Sequence, residues 1–372
     1  MRILLLGEYS NVHNGLAAGL RRLGHEVTVA SDGDGWKDYP RDVDLRRASL
    51  GRADTARFLF RLARAFRRFR GYDIVQLVNP AFAPLSARPL RLLYGYLRRN
   101  NRRVVLCAHG LDYYYVRAAA DERIFRYGDF NIGDRPRDNL DNRLMREEWG
   151  QGAKAALCRY VAEDCDAIVA GLYDYYASYE RCFADKGKLC FIPFPVVTDN
   201  LPTIPRREPG SPARFFVGVQ KKRSAYKGTD VMLRALRRLE REMPAACRVE
   251  VAESVPFARY VEMMRGSEVI LDQLYSYTPA MNALEAMAQG LVVVGGGEPE
   301  NYEILGETEL RPIVNVLPDE EDVYRKLKEL AVNRDTLIPR LRRESREYIL
   351  RHHDSVKVAR SYERLYRKLL SK

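Results

Sequence analysis

Residues 268–303 hold the pattern that most constrains the fold of this chain. A predicted strand, a helix-forming run that stops at Gly290 and a second predicted strand follow one another at residues 269–271, 281–289 and 291–294. Gly295, Gly296 and Gly297 then form a loop before a further helix. In a parallel sheet this order places a glycine-rich loop and a helix N-terminus at the same carboxyl edge, where open α/β folds bind ligands. We therefore expect the active crevice at this edge, with the three glycines next to the ligand.

The run ALEAMAQGLVVVGGGEPE within this stretch resembles the donor-site signature of GT-B glycosyltransferases. It is most similar to the retaining type-4 family, which builds bacterial surface polysaccharides and glycolipids. The resemblance implies that Glu285 holds the ribose hydroxyls of a sugar nucleotide; a solvated helix residue is the alternative. A carboxylate suits a cis-diol because it can accept two charge-assisted hydrogen bonds, each worth about 1.5–3 kcal/mol. The family usually has a second Glu earlier in the pattern, at the position that Tyr277 occupies here.

Length and composition describe a globular protein with more than one domain. At 372 residues the chain is too long for one ordinary core. It is 46% hydrophobic and 30% charged, and no run approaches the roughly 18–20 apolar residues of a membrane span. The opening MRILLLGEYS is typical of a first strand and not of a signal peptide. We therefore expect a cytoplasmic protein.

Cysteine usage and charge narrow the classes of partner. The six cysteines include no CxxC pair and no nearby His at ligand spacing, which argues against a zinc site and a disulfide framework. A net charge of +12 indicates an anionic partner, and nucleic acid, an anionic membrane surface and a nucleotide substrate all qualify. The charge coincides with no RRM, KH or helix-turn-helix pattern, so we expect no nucleic-acid partner.

The N-terminus predicts a βαβ unit, which begins a doubly wound sheet. An apolar strand at residues 2–6 is followed by a loop without GxGxxG and by a helix predicted over residues 15–23. Gly15, at the predicted helix start, would let the backbone approach a phosphate or sugar, and the resemblance implies such a donor contact. A simple helix entry is the alternative.

Asp32-Gly33-Asp34 could hold a divalent metal or an NAD ribose, but both functions lack their supporting context. A turn is sufficient to explain these residues.

A basic amphipathic helix is predicted within residues 56–70. Its apolar face comprises Phe58, Leu59, Leu62, Phe66 and Phe69. Arginines occupy the other face, where they are either solvated or turned to an anionic membrane surface. Each basic residue near anionic lipid contributes about 1 kcal/mol. A lipid-linked acceptor would make peripheral association with the inner membrane face useful.

A histidine follows another predicted strand, at residues 103–108 in the run that ends CAHGLDYYY. This places His109 at a carboxyl end, on the ligand side of the sheet. In the resembling family a His after this strand lies near the reacting sugar and acceptor, so the resemblance implies a catalytic contact for His109. A satisfied polar residue at a strand end is the alternative. Residues 117–150 are polar, and we expect a mobile loop or insertion on the acceptor side.

A proline-rich linker divides the chain. Residues 198–214 contain four prolines. We therefore assign residues 1–197 to an acceptor-binding domain and residues 215–354 to a nucleotide-sugar-binding domain. By the resemblance, residues 355–372 form a helix that crosses back to the first domain.

A basic loop opens the second α/β unit. Lys221, Lys222, Arg223 and Lys227 precede a predicted helix N-terminus, and the helix dipole and the cations together suit a diphosphate. The resemblance implies that an Arg and a Lys of this loop hold the pyrophosphate and support catalysis. Arg223 and Lys227 match best, and Lys221 could replace Arg223. A solvated basic loop is the alternative.

Taken together, the resemblance implies an α/β protein with two Rossmann-like doubly wound domains that face each other across a cleft, the GT-B fold. It implies transfer of a sugar from a UDP- or GDP-sugar to a glycan or lipid-linked acceptor, with retention of configuration. We expect neither a cofactor nor a required metal. A nucleotide-sugar epimerase of related fold and a catalytically silent nucleotide-sugar-binding protein remain open.

Overall fold

The computed structural model of the protein describes residues 1–49, 51–220 and 224–372. Its strands are β1 (Arg2–Leu6), β2 (Glu26–Ser31), β3 (Val43–Asp44), β4 (Ile74–Leu77), β5 (Arg103–Cys107), β6 (Asn131–Ile132), β7 (Arg135–Pro136), β8 (Ala167–Ala170), β9 (Leu189–Phe191), β10 (Ala213–Val219), β11 (Cys247–Glu253), β12 (Val269–Leu271), β13 (Val292–Gly295) and β14 (Val314–Asn315). A seven-stranded sheet has the order β3-β2-β1-β4-β5-β8-β9, and a five-stranded sheet has the order β11-β10-β12-β13-β14. All pairs in both sheets are parallel, and β6 and β7 form a separate antiparallel hairpin.

The helices connect and cover these strands. They are α1 (Val12–Arg22), α2 (Arg52–Phe66), α3 (Ala87–Asn100), α4 (Tyr113–Val116), α5 (Leu140–Gly150), α6 (Gly152–Asp164), α7 (Tyr173–Phe183), α8 (Ser224–Lys227), α9 (Thr229–Glu242), α10 (Phe257–Arg265), α11 (Met281–Ala288), α12 (Pro299–Leu305), α13 (Glu320–Val332), α14 (Leu337–Tyr348) and α15 (Ser355–Leu370). Strand and helix alternate along most of the chain, as parallel sheets require. In the part of the chain that the structure describes, no helix combines the length and apolar character needed to cross a bilayer.

The central strands are buried on both faces because their sequences are apolar without interruption. In β1, Leu4 and Leu6 pack with the helices on one face of the first sheet, while Ile3 and Leu5 pack with those on the other. Helices α2 and α3 cover the first of these faces, and α1 and α15 cover the second. The five-stranded sheet is enclosed in the same way, by α9 and α13 on one face and α11 on the other.

The last helix, α15, packs into the core of the first sheet. Tyr362 and Tyr366 of α15 are buried with Leu16 of α1, and a Cβ at Gly19 of α1 would overlap the Ser355 carbonyl oxygen. Close contact between helices therefore depends on glycine at this position. The final helix of the chain thus contributes to the core that the first residues of the chain begin.

A backbone pairing holds the chain on either side of this helix contact. The Val196 amide donates to the His353 carbonyl at 2.7 Å, and the Ser355 amide donates to the Val196 carbonyl at 2.9 Å. The buried His353 ring makes a hydrogen bond through Nδ1 to the Phe194 carbonyl at 2.9 Å. We call residues 194–198 together with 353–359 the backbone seam. It fixes the start of the predicted linker against the start of α15.

Three sequence-based expectations differ from the structure. The first helix begins at Val12 and not at Gly15. Leu59 is 48% exposed, because it lies at the margin of the α2 stripe that buries Phe58 and Leu62. Residues 117–150 have regular structure throughout much of their length: a π-helical turn over Arg117–Asp121, the β6–β7 hairpin and α5.

Candidate functional site

The carboxylate of Glu285 faces the crevice between the two sheets. Its helix, α11, buries most of its side chains, so Glu285 is one of its few polar positions. Its Oε1 accepts a hydrogen bond at 3.1 Å from the Asn11 side chain, which precedes α1. Asn11 has φ 71°, a left-handed conformation that asparagine tolerates better than most residues. Burial raises the pKa of Glu285, and the Asn11 hydrogen bond opposes that shift. The carboxylate therefore lies where both domains meet.

The three glycines at the end of β13 and in the loop after it pack against protein. A Cβ at Gly296 would overlap the Ser276 carbonyl oxygen, and one at Gly297 would lie 2.8 Å from Ile313 Cγ2. A Cβ at Gly295 would lie 3.1 Å from the Gln273 carbonyl oxygen. The loops after β12 and β13 can therefore approach each other only without side chains here. The predicted contact of these glycines with a donor remains a prediction.

Lys227 ends the short helix α8, immediately before α9. Gly228 between them has φ 73°, and a Cβ there would meet Leu274 and Tyr275 of the neighbouring loop. The Lys227 carbonyl accepts from the Leu274 amide at 3.0 Å, which ties this turn to the loop after β12. The N-terminus of α9 has no side-chain cap on its Gly228 N-cap residue. Lys221 and Arg223, the other predicted phosphate ligands, lie outside the described residues.

His109 is buried at the end of β5, with 1% of its surface exposed. Its ring packs edge-on against Phe194 at 4.8 Å between ring centres. Neither Nδ1 nor Nε2 has a hydrogen-bond partner among the described residues. Burial holds the pKa of His109 well below its ordinary value, so the imidazole is neutral at pH 7. Buried polar atoms without partners are rare in proteins, and a ligand hydroxyl at this position would satisfy them.

Gly15 has a different environment from the one predicted. It lies inside α1, and a Cβ there would be 2.7 Å from the Pro195 carbonyl oxygen, so the close approach is to the chain itself. The N-terminus of α1 is already occupied by a side chain of the protein itself. The Glu8 carboxylate accepts the amides of His13 at 3.2 Å and Asn14 at 2.9 Å. The predicted helix start at Gly15 is therefore wrong, because the helix begins at Val12 and Glu8 caps it. The predicted contact of Gly15 with a donor remains a prediction.

Tyr277, which stands where the resembling family has a glutamate, packs into the other domain. It is 2% exposed and lies among the rings of Phe125, Tyr127 and Tyr173. Its hydroxyl accepts the Arg126 amide at 2.6 Å. Burial raises the pKa of Tyr277 to about 12. This side chain therefore joins the domains and is hydrogen-bonded to protein.

Further contacts surround Tyr277. Glu298 accepts from Tyr127 at 2.5 Å and from Arg126 at 2.8 Å, and Arg126 also pairs with Glu300. These contacts link the insertion between α4 and α5 to the start of α12. We call residues 125–137, with their partners in the second domain, the clasp. Sequence analysis missed it, and only the unexpected tyrosine at 277 signals it.

Arg137 forms the other end of the clasp. Its guanidinium donates to the carbonyls of Ala225 at 2.7 Å and Tyr226 at 3.1 Å, and lies 3.3 Å from the centre of the Tyr275 ring. Burial lowers the pKa of Arg137, as expected for a cation removed from water. Asp129 accepts from the Tyr226 hydroxyl at 2.7 Å. The insertion thus contacts all three crevice loops of the second domain, after β10, β12 and β13.

Two Rossmann-like domains that face each other across a crevice define the GT-B class of fold. Solved structures share it along their whole length. Sucrose-phosphate synthase from Thermosynechococcus elongatus is 17% identical, with a TM-score of 0.61 over 100% of this chain and 99% of that one. HepE of Anabaena, crystallised with UDP and glucose, is 12% identical, with a TM-score of 0.61 over 99% and 100%. WaaG, a glycosyltransferase of lipopolysaccharide biosynthesis, is 13% identical, with a TM-score of 0.56 over 97% and 98%.

The sequence comparisons add the family. The chain matches Glycosyltransferase Family 4 over residues 12–200, just over half its length, and it belongs to that family. It is therefore a transferase of the glycosyltransferase type. A search of curated proteins finds no match. The structural likenesses, all below 25% identity, establish the fold alone.

Proposed function

We propose that the protein transfers a sugar from a nucleotide-sugar donor to a glycan or lipid-linked acceptor, in the synthesis of a bacterial surface polysaccharide or glycolipid. The single observation that carries the donor assignment is the Glu285 carboxylate, which faces the crevice and is held by Asn11. A carboxylate at this place would accept two hydroxyl hydrogen bonds of a ribose. HepE, which has this fold, was crystallised in complex with UDP and glucose, and this supports a UDP-sugar as the donor.

Lys227, with Arg223 and Lys221, would hold the diphosphate. The N-terminus of α9 follows Lys227 directly, so its backbone amides and its dipole act on the same anion. Negative charge develops on the diphosphate as the sugar leaves, and fixed cations stabilise it. These groups would make a metal unnecessary.

His109 would contact the sugar being transferred or the acceptor. The ring is neutral, so one nitrogen can donate a hydrogen bond and the other can accept one. A sugar hydroxyl suits both nitrogens.

Arg126 engages Glu298 and Glu300, the carboxylates at the start of α12. We therefore propose retention through a front-face reaction and not through a covalent carboxylate intermediate.

Association with an anionic membrane is a separate part of the proposal. Three apolar side chains of α2 and α3, Leu59, Phe60 and Leu92, are 48%, 71% and 75% exposed, and exposed arginines surround them. Such a mixed surface suits the interface of an anionic bilayer. Flotation with anionic but not neutral vesicles, weakened in Phe60→Ser, would support it. Equal flotation with both vesicle types, or with neither, would leave the arginines simply solvated.

Donor binding is tested by thermal stabilisation against UDP, GDP, ADP and their sugars. A ligand at 100 times its Kd adds about 2.7 kcal/mol to the free energy of unfolding. We expect a selective response to one nucleotide, lost in Glu285→Gln and retained in Glu303→Gln, a matched change at an exposed carboxylate of α12. Equal responses of the two variants would remove the ribose role from Glu285.

The diphosphate role is tested by Lys227→Ala. We expect transfer to slow by on the order of 10² while nucleotide affinity changes less, because the charge acts mainly in the transition state. Equal losses would contradict that role.

Dependence of turnover on an acceptor separates the transferase from an epimerase. Nucleotide binding without turnover would indicate the silent binding protein that Tyr277 also allows.

A further inference from the structure

A cavity lies entirely within the insertion of the first domain, beside the clasp. It has a volume of about 540 Å³, and its lining includes four arginines and two aspartates. The arginines are Arg123, Arg137, Arg143 and Arg146. A volume of this order accommodates a small polar ligand such as one or two sugar rings. The excess of arginine favours an anion.

The aspartates neutralise only part of this charge. Asp138 pairs with Arg143 at 3.1 Å, and Asp121 lies 3.9 Å from Arg146. Among the described residues, no carboxylate lies within ion-pair distance of Arg123 or Arg137. These two guanidinium groups contact backbone carbonyls instead. The cavity therefore carries positive charge without an ion-pair partner, part of it on the half-buried Arg137.

Asn142 supplies a second, independent indication of a ligand. It is 2% exposed and lines the cavity. Its Nδ2 donates to the carbonyls of Asp129 at 2.7 Å and Arg137 at 2.5 Å, which fixes the orientation of the amide. Its Oδ1 has no hydrogen-bond partner. A buried acceptor without a donor is costly, and a hydroxyl is the group that would satisfy it.

We propose that this cavity binds an acceptor sugar that carries an anionic group. A hydroxyl of the sugar donates to Asn142 Oδ1, and the anion, a phosphate or a carboxylate, binds the arginines. Arg137 links the cavity to the reaction centre, because it also contacts the carbonyls that precede Lys227. This inference rests on the proposed function and adds the chemical class of the acceptor to it.

The test is calorimetric titration of the full-length protein, saturated with whichever nucleotide stabilises it. The probes are glucose 6-phosphate, glucuronate, glucose and inorganic phosphate. We expect one of the two anionic sugars to bind, which names the anion, and glucose and phosphate alone to bind at least about 10-fold more weakly, since each loses one of the two recognition elements. Equal binding of glucose and both anionic sugars, or no binding of any, would overturn the proposal.

Variants assign the binding to the cavity. Arg143→Gln with Arg146→Gln should weaken binding by on the order of 10-fold for each arginine removed. Arg88→Gln, an exposed arginine of α3 outside the cavity, should change nothing. Asp138→Asn should tighten binding several-fold, because it frees Arg143. This gain cannot result from misfolding. Unchanged affinity in both cavity variants would overturn the assignment.

The nucleotide separates the two proposals. If no nucleotide stabilises the protein but glucose 6-phosphate still binds through Arg143, the proposed donor function fails and the anion site stands. If the nucleotide binds and displaces glucose 6-phosphate, the cavity serves the donor, and the acceptor proposal is overturned. Simultaneous binding of both ligands is the expected result.

Discussion

The two connections between the domains, the backbone seam and the clasp, are built in different ways. The seam joins main chain to main chain, through Val196, His353 and Ser355, and glycine at positions 15 and 19 lets the helices lie against it. The clasp relies largely on side chains, chiefly Arg126, Tyr127 and Glu298. Backbone groups in a tightly packed region have few other hydrogen-bond partners, so their pairing is costly to break. Partly exposed side-chain pairs can instead be replaced by hydrogen bonds to water at small cost. We therefore expect the crevice to open at the clasp while the seam holds.

The largest expected effect is damage to the seam. In Gly19→Ala the new methyl group overlaps the Ser355 carbonyl oxygen, and backbone cannot move aside cheaply. We expect a loss of about 3 kcal/mol or more in the free energy of unfolding, measured by denaturant titration. Gly150→Ala, where nothing lies within 4 Å of the new atom, is the matched control and should cost nothing. Similar values for the two would mean that α1 and α15 are not tightly packed.

Helix α1, which packs against the seam, and the clasp should also respond to opposite ends of the pH scale. Burial raises the pKa of Glu8, the carboxylate that caps α1, from 4.5 to about 8. The folded protein therefore keeps a proton that the unfolded chain releases, and stability falls as pH rises through this window. We expect Glu8→Gln to remove up to about 3 kcal/mol of the decline in stability between pH 5 and 8.

In the clasp the sign is reversed. Burial acts to raise the pKa of Glu300, but hydrogen bonding and the charge of Arg126 lower it, and the net shift is downward. The stability that this ion pair contributes is therefore present at neutral pH and is lost as the pH falls below 4.5. Thermal melts from pH 3 to 9 would show both trends. An undiminished decline between pH 5 and 8 in Glu8→Gln would assign it to other groups.

Within the clasp, Tyr127→Phe should have a moderate effect. It removes one donor from Glu298, a nearly buried carboxylate that keeps Arg126 and Asn315 as partners. We expect a loss of about 1–2 kcal/mol in the free energy of unfolding. Tyr39→Phe, a change of the same size at a buried tyrosine outside the clasp, serves as the control. A loss no greater than the control's would show that Glu298 does not need this hydroxyl.

Of these changes, Arg126→Ala should have the smallest effect on the free energy of unfolding and the clearest effect on opening of the crevice. Its side chain is 57% exposed, and ion pairs of this kind contribute under about 1 kcal/mol. Hydrogen exchange measured by mass spectrometry should rise in the loop after β12 and in the insertion, while peptides covering Val196 and Ser355 stay protected. Arg123→Ala, in the same insertion but without a carboxylate partner among the described residues, is the control. Increased exchange at the seam as well would contradict the contrast between the two connections.

Much of the fold could be predicted from the sequence because strand and helix signals are local. The strand at Val269–Leu271, the helix that carries Glu285 and the position of His109 after β5 were confirmed within a residue or two. Apolar runs and glycine stops encode these features directly. The two-domain GT-B fold was confirmed as well.

The clasp could not be predicted, because its partners are far apart in the chain. Arg126 and Glu298 are separated by 172 positions, and neither has a pattern that distinguishes it from a solvated surface charge. The start of α1 was missed for a related reason. Glu8 lies before a turn that includes the left-handed Asn11, and its side chain reaches past this turn to cap the helix. The N-cap residue itself makes no side-chain cap, so no standard capping signal marks the boundary.

The position of Glu8 has a consequence for kinetics. Both domains have the architecture that binds nucleotides, but in the first domain the chain's own carboxylate fills the helix N-terminus. On the proposed function, a nucleotide released as product would return only to the second domain. Its inhibition should be competitive with the donor at every concentration of acceptor, and an excess of donor should never occupy the acceptor side. The enzyme would thus tolerate a high donor concentration without substrate inhibition.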